Sequence, residues 1–203
     1  MSDTGLSNIK IDGEKLLAIE DVLGMEKARE KANDQKTKAF GLLAGLLSRP
    51  KAEDIDIAYE EKHYDAFWHV LGKSRFEYKR RKSFKVPVES VVQDVEALGT
   101  SFQTSSQKYF EIEGVERCVE EHREEVIVNA KDGSQGDFVK YLKYPVKQIA
   151  STDELTSDGT AIVAMDAKPA FLVRKVVNEL IKPIQADQIL DEQIGITELA
   201  LYF

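Results

Sequence analysis

The stretch Tyr59–Phe84, YEEKHYDAFWHVLGKSRFEYKRRKSF, carries two of the chain's three histidines, its one tryptophan and a cluster of arginine and lysine. How it folds turns on Gly72. Apolar residues alternate before it, at Tyr64, Ala66, Trp68 and Val70, and again after it, at Phe76, Tyr78, Phe84, Val86 and Val88. A period of two is the signature of strands, and a glycine between two such runs reads as a hairpin turn. A two-residue turn at Gly72-Lys73 would set Trp68 opposite Glu77 and mix the faces. An odd loop with Val70 opposite Ser74 sets Trp68 opposite Phe76 and Ala66 opposite Tyr78, which keeps one apolar face together. The odd loop is therefore expected. The other face then holds His63, Asp65, Phe67 and His69 beside Arg75, Glu77, Lys79 and Arg81.

Upstream, Ile55, Ile57 and Tyr59 alternate in the opposite parity, so a bulge or break is expected near Glu60–Lys62. The segment NIKIDGEKLLAIEDVLGMEKAREKANDQKTK reads as a short extended start followed by a helix from about Gly13, which beyond Met25 becomes a charged extension or linker. Lys36–Ser48 is helical by composition and ends before Pro50. Downstream, Val86–Gln103 reads as a strand with a turn near Gly99, and Tyr109–Ile112 is extended. Residues 115–126 fit either a helical stripe or a strand, and Ile127–Ala130 runs into an Asp-Gly turn. AIVAM reads as a short buried strand. A helix over Ala167–Lys182 follows, with Asp166 as its cap and Phe171, Val173, Val176, Val177, Leu180 and Ile181 as its core face. A short helix over Ala186–Glu192 and a final strand with Leu199, Leu201 and Phe203 alternating complete the chain. The expected class is α+β, a mainly antiparallel twisted sheet with the Lys36–Ser48 and Ala167–Lys182 helices packed on one face. Residues 1–50 form a helical lead-in and residues 51–203 a single α+β domain.

With 42% hydrophobic and 32% charged residues, the chain has the composition of a globular protein rather than a disordered one. A net charge of -8 argues against general attraction to nucleic acid or anionic membranes. One cysteine makes no internal disulfide, and the first residues lack a secretory pattern, so the cytoplasm is the expected compartment. The longest apolar run, Ala39–Leu47, falls short of the roughly 20 residues of a membrane span. Within it, Gly41 and Gly45 form a small-xxx-small pair that would allow self-association.

Several phrases together, YDAFWHV, YKRRKSFKVPV, EGVERCVEEHREE and VRKVVNELIKPIQADQILDEQIGITELALYF, resemble a prokaryotic family with no assigned activity, over about residues 53–203. The resemblance implies no functional residues.

Three chemistries can be placed on these residues. On a helix, Cys118 and His122 share one face, and His69 or His63 from the hairpin would complete a zinc site, a ligand set that, with His69, could serve a hydrolase. On a strand the two lie about 13 Å apart and the pairing fails. As a nucleophile, Cys118 is surrounded by glutamates that oppose a thiolate, so catalysis is not expected. Arg75–Lys85, with interleaved aromatics, has the composition of a nucleic-acid-binding strand. The acidic stretch Glu111–Glu125, seven glutamates against two arginines, would instead neutralise it within the sheet, and that internal pairing is the expectation. The remaining reading, and the one favoured, is a non-catalytic cytoplasmic interaction or scaffold protein that docks a protein partner or another copy of itself, in part through an open edge on the last strand.

Overall fold

The structure, a computed structural model, describes residues 9–21, 23–40, 51–157 and 159–203. In chain order the elements are β1 (Lys10–Ile11), β2 (Glu14–Ile19), α1 (Met25–Gln35), β3 (His63–Tyr64), β4 (Phe67–Pro87), β5 (Asp94–Ala97) and β6 (Thr100–Gln103). There follow β7 (Tyr109–Asn129), β8 (Val146–Ile149), α2 (Asp153–Thr156), β9 (Ala161–Ile162), α3 (Pro169–Leu180) and β10 (Gln188–Tyr202). Six strands make one sheet in the order β7-β4-β10-β2-β8, with β1 also paired to β10. The sheet is mixed, since β1 runs parallel to β10 whereas β2 and β8 are antiparallel.

This corrects the α+β expectation. Strands make up 45% of the structure and helices 20%, and the sheet is neither mainly antiparallel nor packed by a layer of helices. Helix α1 buries no residue, and Lys36–Phe40 is a short 3-10 helix. The rest of the expected Lys36–Ser48 helix, with Gly41 and Gly45, lies outside the described residues.

The largest correction is at Gly72. There is no hairpin: Phe67–Pro87 is one continuous strand. A Cβ on Gly72 would stand 2.6 Å from Val176 Cγ1 and 2.7 Å from Leu180 Cδ1, so the glycine lets α3 approach the strand instead of turning it. Residues 115–126 are likewise strand throughout, inside β7.

Two further helices of the sequence reading are strands. Glu14–Ile19 buries both Leu17 and Ala18, and a strand covered on both faces shows no alternation to distinguish it from a helix. Gln188–Tyr202 absorbs the expected Ala186–Glu192 helix, because strand pairing outweighs local propensity. The helix at Pro169–Leu180 does form, but it buries Leu172, Val176, Val177 and Leu180 and leaves Phe171 exposed. The final strand lies between β4 and β2 in the strand order, with β1 paired to it at Gly195 and Ile196.

The chain divides into two compact units, and β4, β7 and β10 each contribute residues to both. The first comprises the described part of Met1–Gly13 with Val70–Val126 and Ala170–Leu199. Its core joins Val70, Phe76 and Tyr78 of β4 to Leu172, Val176 and Leu180 of α3 and Ile196 of β10. The Ser74 hydroxyl donates to the Leu180 carbonyl (3.2 Å), one of the carbonyls a helix end leaves without an internal partner. Strands β5 and β6 form a hairpin whose turn residues, Leu98 and Gly99, both have positive φ, at 54° and 74°. Phe102 of that hairpin meets Phe110 at 5.4 Å between ring centres.

The second unit comprises Glu14–His69, Ile127–Pro169 and Ala200–Phe203. Its core is aromatic. Phe67 stacks on Tyr202 at 4.9 Å and on Phe138 at 5.2 Å, with Leu17 and Ala200 in the same cluster. The Trp68 indole N–H donates to the Ala167 carbonyl (3.1 Å), which satisfies the one polar atom of a ring only 4% exposed. Leu17 and Ile19 bracket Phe203 in a parallel backbone ladder: Phe203 donates to Leu17, and Ile19 donates to Phe203.

Candidate functional site

The residues proposed as zinc ligands fall as follows. His69 is in β4 within the second unit, 8% exposed, with its ring 6.1 Å from that of Tyr202. Cys118 and His122 are in β7 within the first unit. Because β7 is a strand, these two stand about 13 Å apart along it, and the helical adjacency that paired them does not arise. Cys118 is a half-buried free thiol. The His122 ring lies 6.4 Å from Phe76, with Nε2 3.6 Å from a Glu120 carboxylate oxygen. Among the described residues no group of three His, Cys, Asp or Glu is placed to hold a metal ion.

What the structure does bring together in the first unit is the basic strand and the acidic strand. Cross-strand contacts step in opposite directions along β4 and β7, as antiparallel neighbours require. The Tyr78 hydroxyl donates to Glu120, Arg80 pairs with Glu116, and Ser83 and Lys85 both reach Glu111. Lys82 adds a second cation to Glu116 at 3.6 Å. These contacts lie mostly on the face that carries Phe76 and Tyr78.

On the opposite face, Glu77 is held between Arg75, at 3.2 Å, and Arg117. Arg75 reaches further, to Asp191 of β10 at 3.4 Å and Glu121 of β7 at 3.8 Å. Bidentate and shared guanidinium contacts of this kind fix register as well as charge. Beside them a cavity of about 800 Å³ is lined by Lys10, Lys73, Arg75, Glu121, Arg123 and Thr197, a wall of mixed charge.

Proton affinities follow the pairing. The hydrogen bond from Arg117, and secondarily that from Arg75, holds the Glu77 carboxyl below the usual carboxylate range against the opposing effect of desolvation. Arg80 does the same for Glu116. Tyr78 moves the other way: its bond to Glu120, then burial, pushes the phenol up to about 12.

A nucleic-acid strand needs free cations and exposed rings. Here Arg75, Arg80, Lys82 and Lys85 face carboxylates of the same chain, and Phe76 and Tyr78 are 3% and 1% exposed. Glu111, Glu116 and Glu121 are the carboxylates of β7 that the basic run is built against.

The surface left over is the outer edge of β7, a terminal strand of the sheet. At one end Tyr109 accepts from the Ser105 amide, and at the other Val128 pairs with Gln135 across the Asp132-Gly133 turn. Between Glu111 and Val126 no further strand pairs with it among the described residues. Alternate residues of this stretch, Glu111 through Glu125, are exposed, including Val115 at 63% and Val119 at 50%. The sequence reading missed this edge because residues 115–126 also fit a helix. The alternation along Tyr109–Asn129 is one of burial and not of residue type, since Glu116, Glu120 and Glu124 share the more covered face with Ile112 and Cys118 while Val115 and Val119 are exposed, so no period-two pattern in the sequence marks it.

No protein-family model, no curated protein and no solved structure matches the chain. Among the described residues no helix is long and apolar enough to cross a membrane.

Proposed function

We propose that the chain is a non-catalytic protein-interaction module that takes a segment of a partner as an added strand along the outer edge of β7. The observation that supports this is the length of the edge. Among the described residues no strand pairs with the outer side of Glu111–Val126, and such a bare row of amide and carbonyl groups is a template for main-chain pairing that proteins ordinarily shorten, bulge or cover. The single cysteine, with no internal disulfide partner, fits a reducing compartment, and we place the module in the cytoplasm. The ion pairs across β4 and β7 hold the edge strand in one register, so a partner would meet a fixed template rather than a sliding one.

Hydrogen exchange resolved to single amides tests the edge in the free chain. Along Glu111–Val126 the expected pattern is alternation, with slow exchange for amides bonded to β4 and fast exchange for those pointing outward. Uniform protection would mean that the edge is already covered, and the reading would fall.

A further inference from the structure

The β7 edge has a charge pattern that selects its occupant. On its exposed face the residues run Glu111, Glu113, Val115, Arg117, Val119, Glu121, Arg123 and Glu125. Arg117 is drawn across to Glu77 on β4, away from the outer edge, and Arg123 stands 3.9 Å from Glu125. The edge therefore shows two exposed valines at its centre with carboxylates on either side, of which Glu111, Glu121 and Glu125 stand in loose, exposed ion pairs of 3.8–3.9 Å with Lys85, Arg75 and Arg123. Resting on the strand-addition reading, we infer that the partner segment is an extended basic strand, apolar at its middle and carrying Lys or Arg toward both ends.

Cross-strand pairing supplies the reason. Residues directly opposite on neighbouring strands are close enough for opposite charges to attract and like charges to repel. An apolar residue opposite Val115 or Val119 removes from water surface that is 63% and 50% exposed. Basic residues further out meet Glu113 on one side and Glu121 and Glu125 on the other. A second copy of this chain fits less well, because on this face each β7 carries four glutamates against two arginines, one of which is already held by Glu77.

The test uses the full chain and three synthetic strands of equal length: Lys-Thr-Lys-Thr-Val-Thr-Val-Thr-Val-Thr-Lys, its Lys-to-Glu counterpart and its Lys-to-Thr counterpart. The readout is hydrogen exchange at the outward amides of β7, with affinity followed by titration at low and high salt. The expected result is protection of Glu111–Val126 by the basic strand alone, with affinity that falls as salt rises. Glu113→Lys with Glu121→Lys should weaken binding about tenfold, through pairs turned from attractive to repulsive, while the fold stays intact by circular dichroism. If the neutral or acidic strand protects the edge equally well, strand addition stands and the basic-partner inference is overturned. If no strand protects it, or if the free chain dimerises with β7 amides protected, both are overturned.

Discussion

Gly72 stands so close to Val176 that a single added carbon would lie 2.6 Å from the valine's Cγ1. Val176 is completely buried and branched at Cβ, so it has little freedom to move aside. Gly72→Ala should therefore destabilise the protein by about 1–3 kcal/mol, the usual range for overpacking a filled core. Thermal unfolding would show a drop of several degrees. In a Val176→Ala background the same change should cost less, since one of the two obstructing methyls is gone and only Leu180 Cδ1, at 2.7 Å, remains as close. An equal loss in both backgrounds would point to some other origin.

The same pair explains which part of the fold was legible in the sequence. An odd loop centred on Gly72 and a straight strand through Gly72 leave Trp68, Val70, Phe76 and Tyr78 on one face, so the burial of these residues was readable while the topology was not. His69 and Glu77, each 8% exposed, were assigned to the polar side because alternation carries no information about burial on both faces of a strand. Pairing of the basic run with the acidic run was readable from charge alone. The edge it creates depends on strand order, which no local pattern encodes.

Tyr78 should titrate well above an ordinary phenol. Its folded value is raised to about 12 by Glu120 and by burial, above an ordinary value of 10.0. A raised value means that the folded state holds the proton more tightly. The contribution to stability is then whole below the ordinary value and is lost as pH rises through the folded one. Phenolate absorbance should show a late ionisation step near 12 that Tyr78→Phe removes. A wild-type titration with no such step would contradict the hydrogen bond to Glu120.

Acid should act on the other side of the lattice. Glu77 and Glu116 are held below the ordinary value of 4.5 by their arginines, so the folded state binds their protons less tightly than the unfolded chain does. Their stabilisation is present above that value and is lost as pH falls through the lower folded values. Melting temperature measured from neutral pH downward should therefore decline below about 4.5. In Arg80→Gln, where Glu116 loses its principal partner, the decline should be shallower. An identical acid slope in the variant would show that this pair is not coupled to folding.

The spacing of Cys118 and His122 leads to a prediction about metal. Zinc–sulfur and zinc–nitrogen bonds are about 2.3 and 2.1 Å long, so two ligands on one ion must have side chains that converge. Four residues along a strand separate their Cα atoms by about 13 Å, and both side chains point the same way instead of toward each other. The chain should then fold without zinc. Adding a strong chelator should leave its melting temperature unchanged, and protein purified without an affinity tag should contain far less than one equivalent of metal. Cys118→Ser and His122→Ala should each shift stability by about 0.5 kcal/mol or less if they only pack half-buried positions. A melting temperature that collapses with chelator and returns with added zinc would restore the metal reading, and would require ligands outside the described residues.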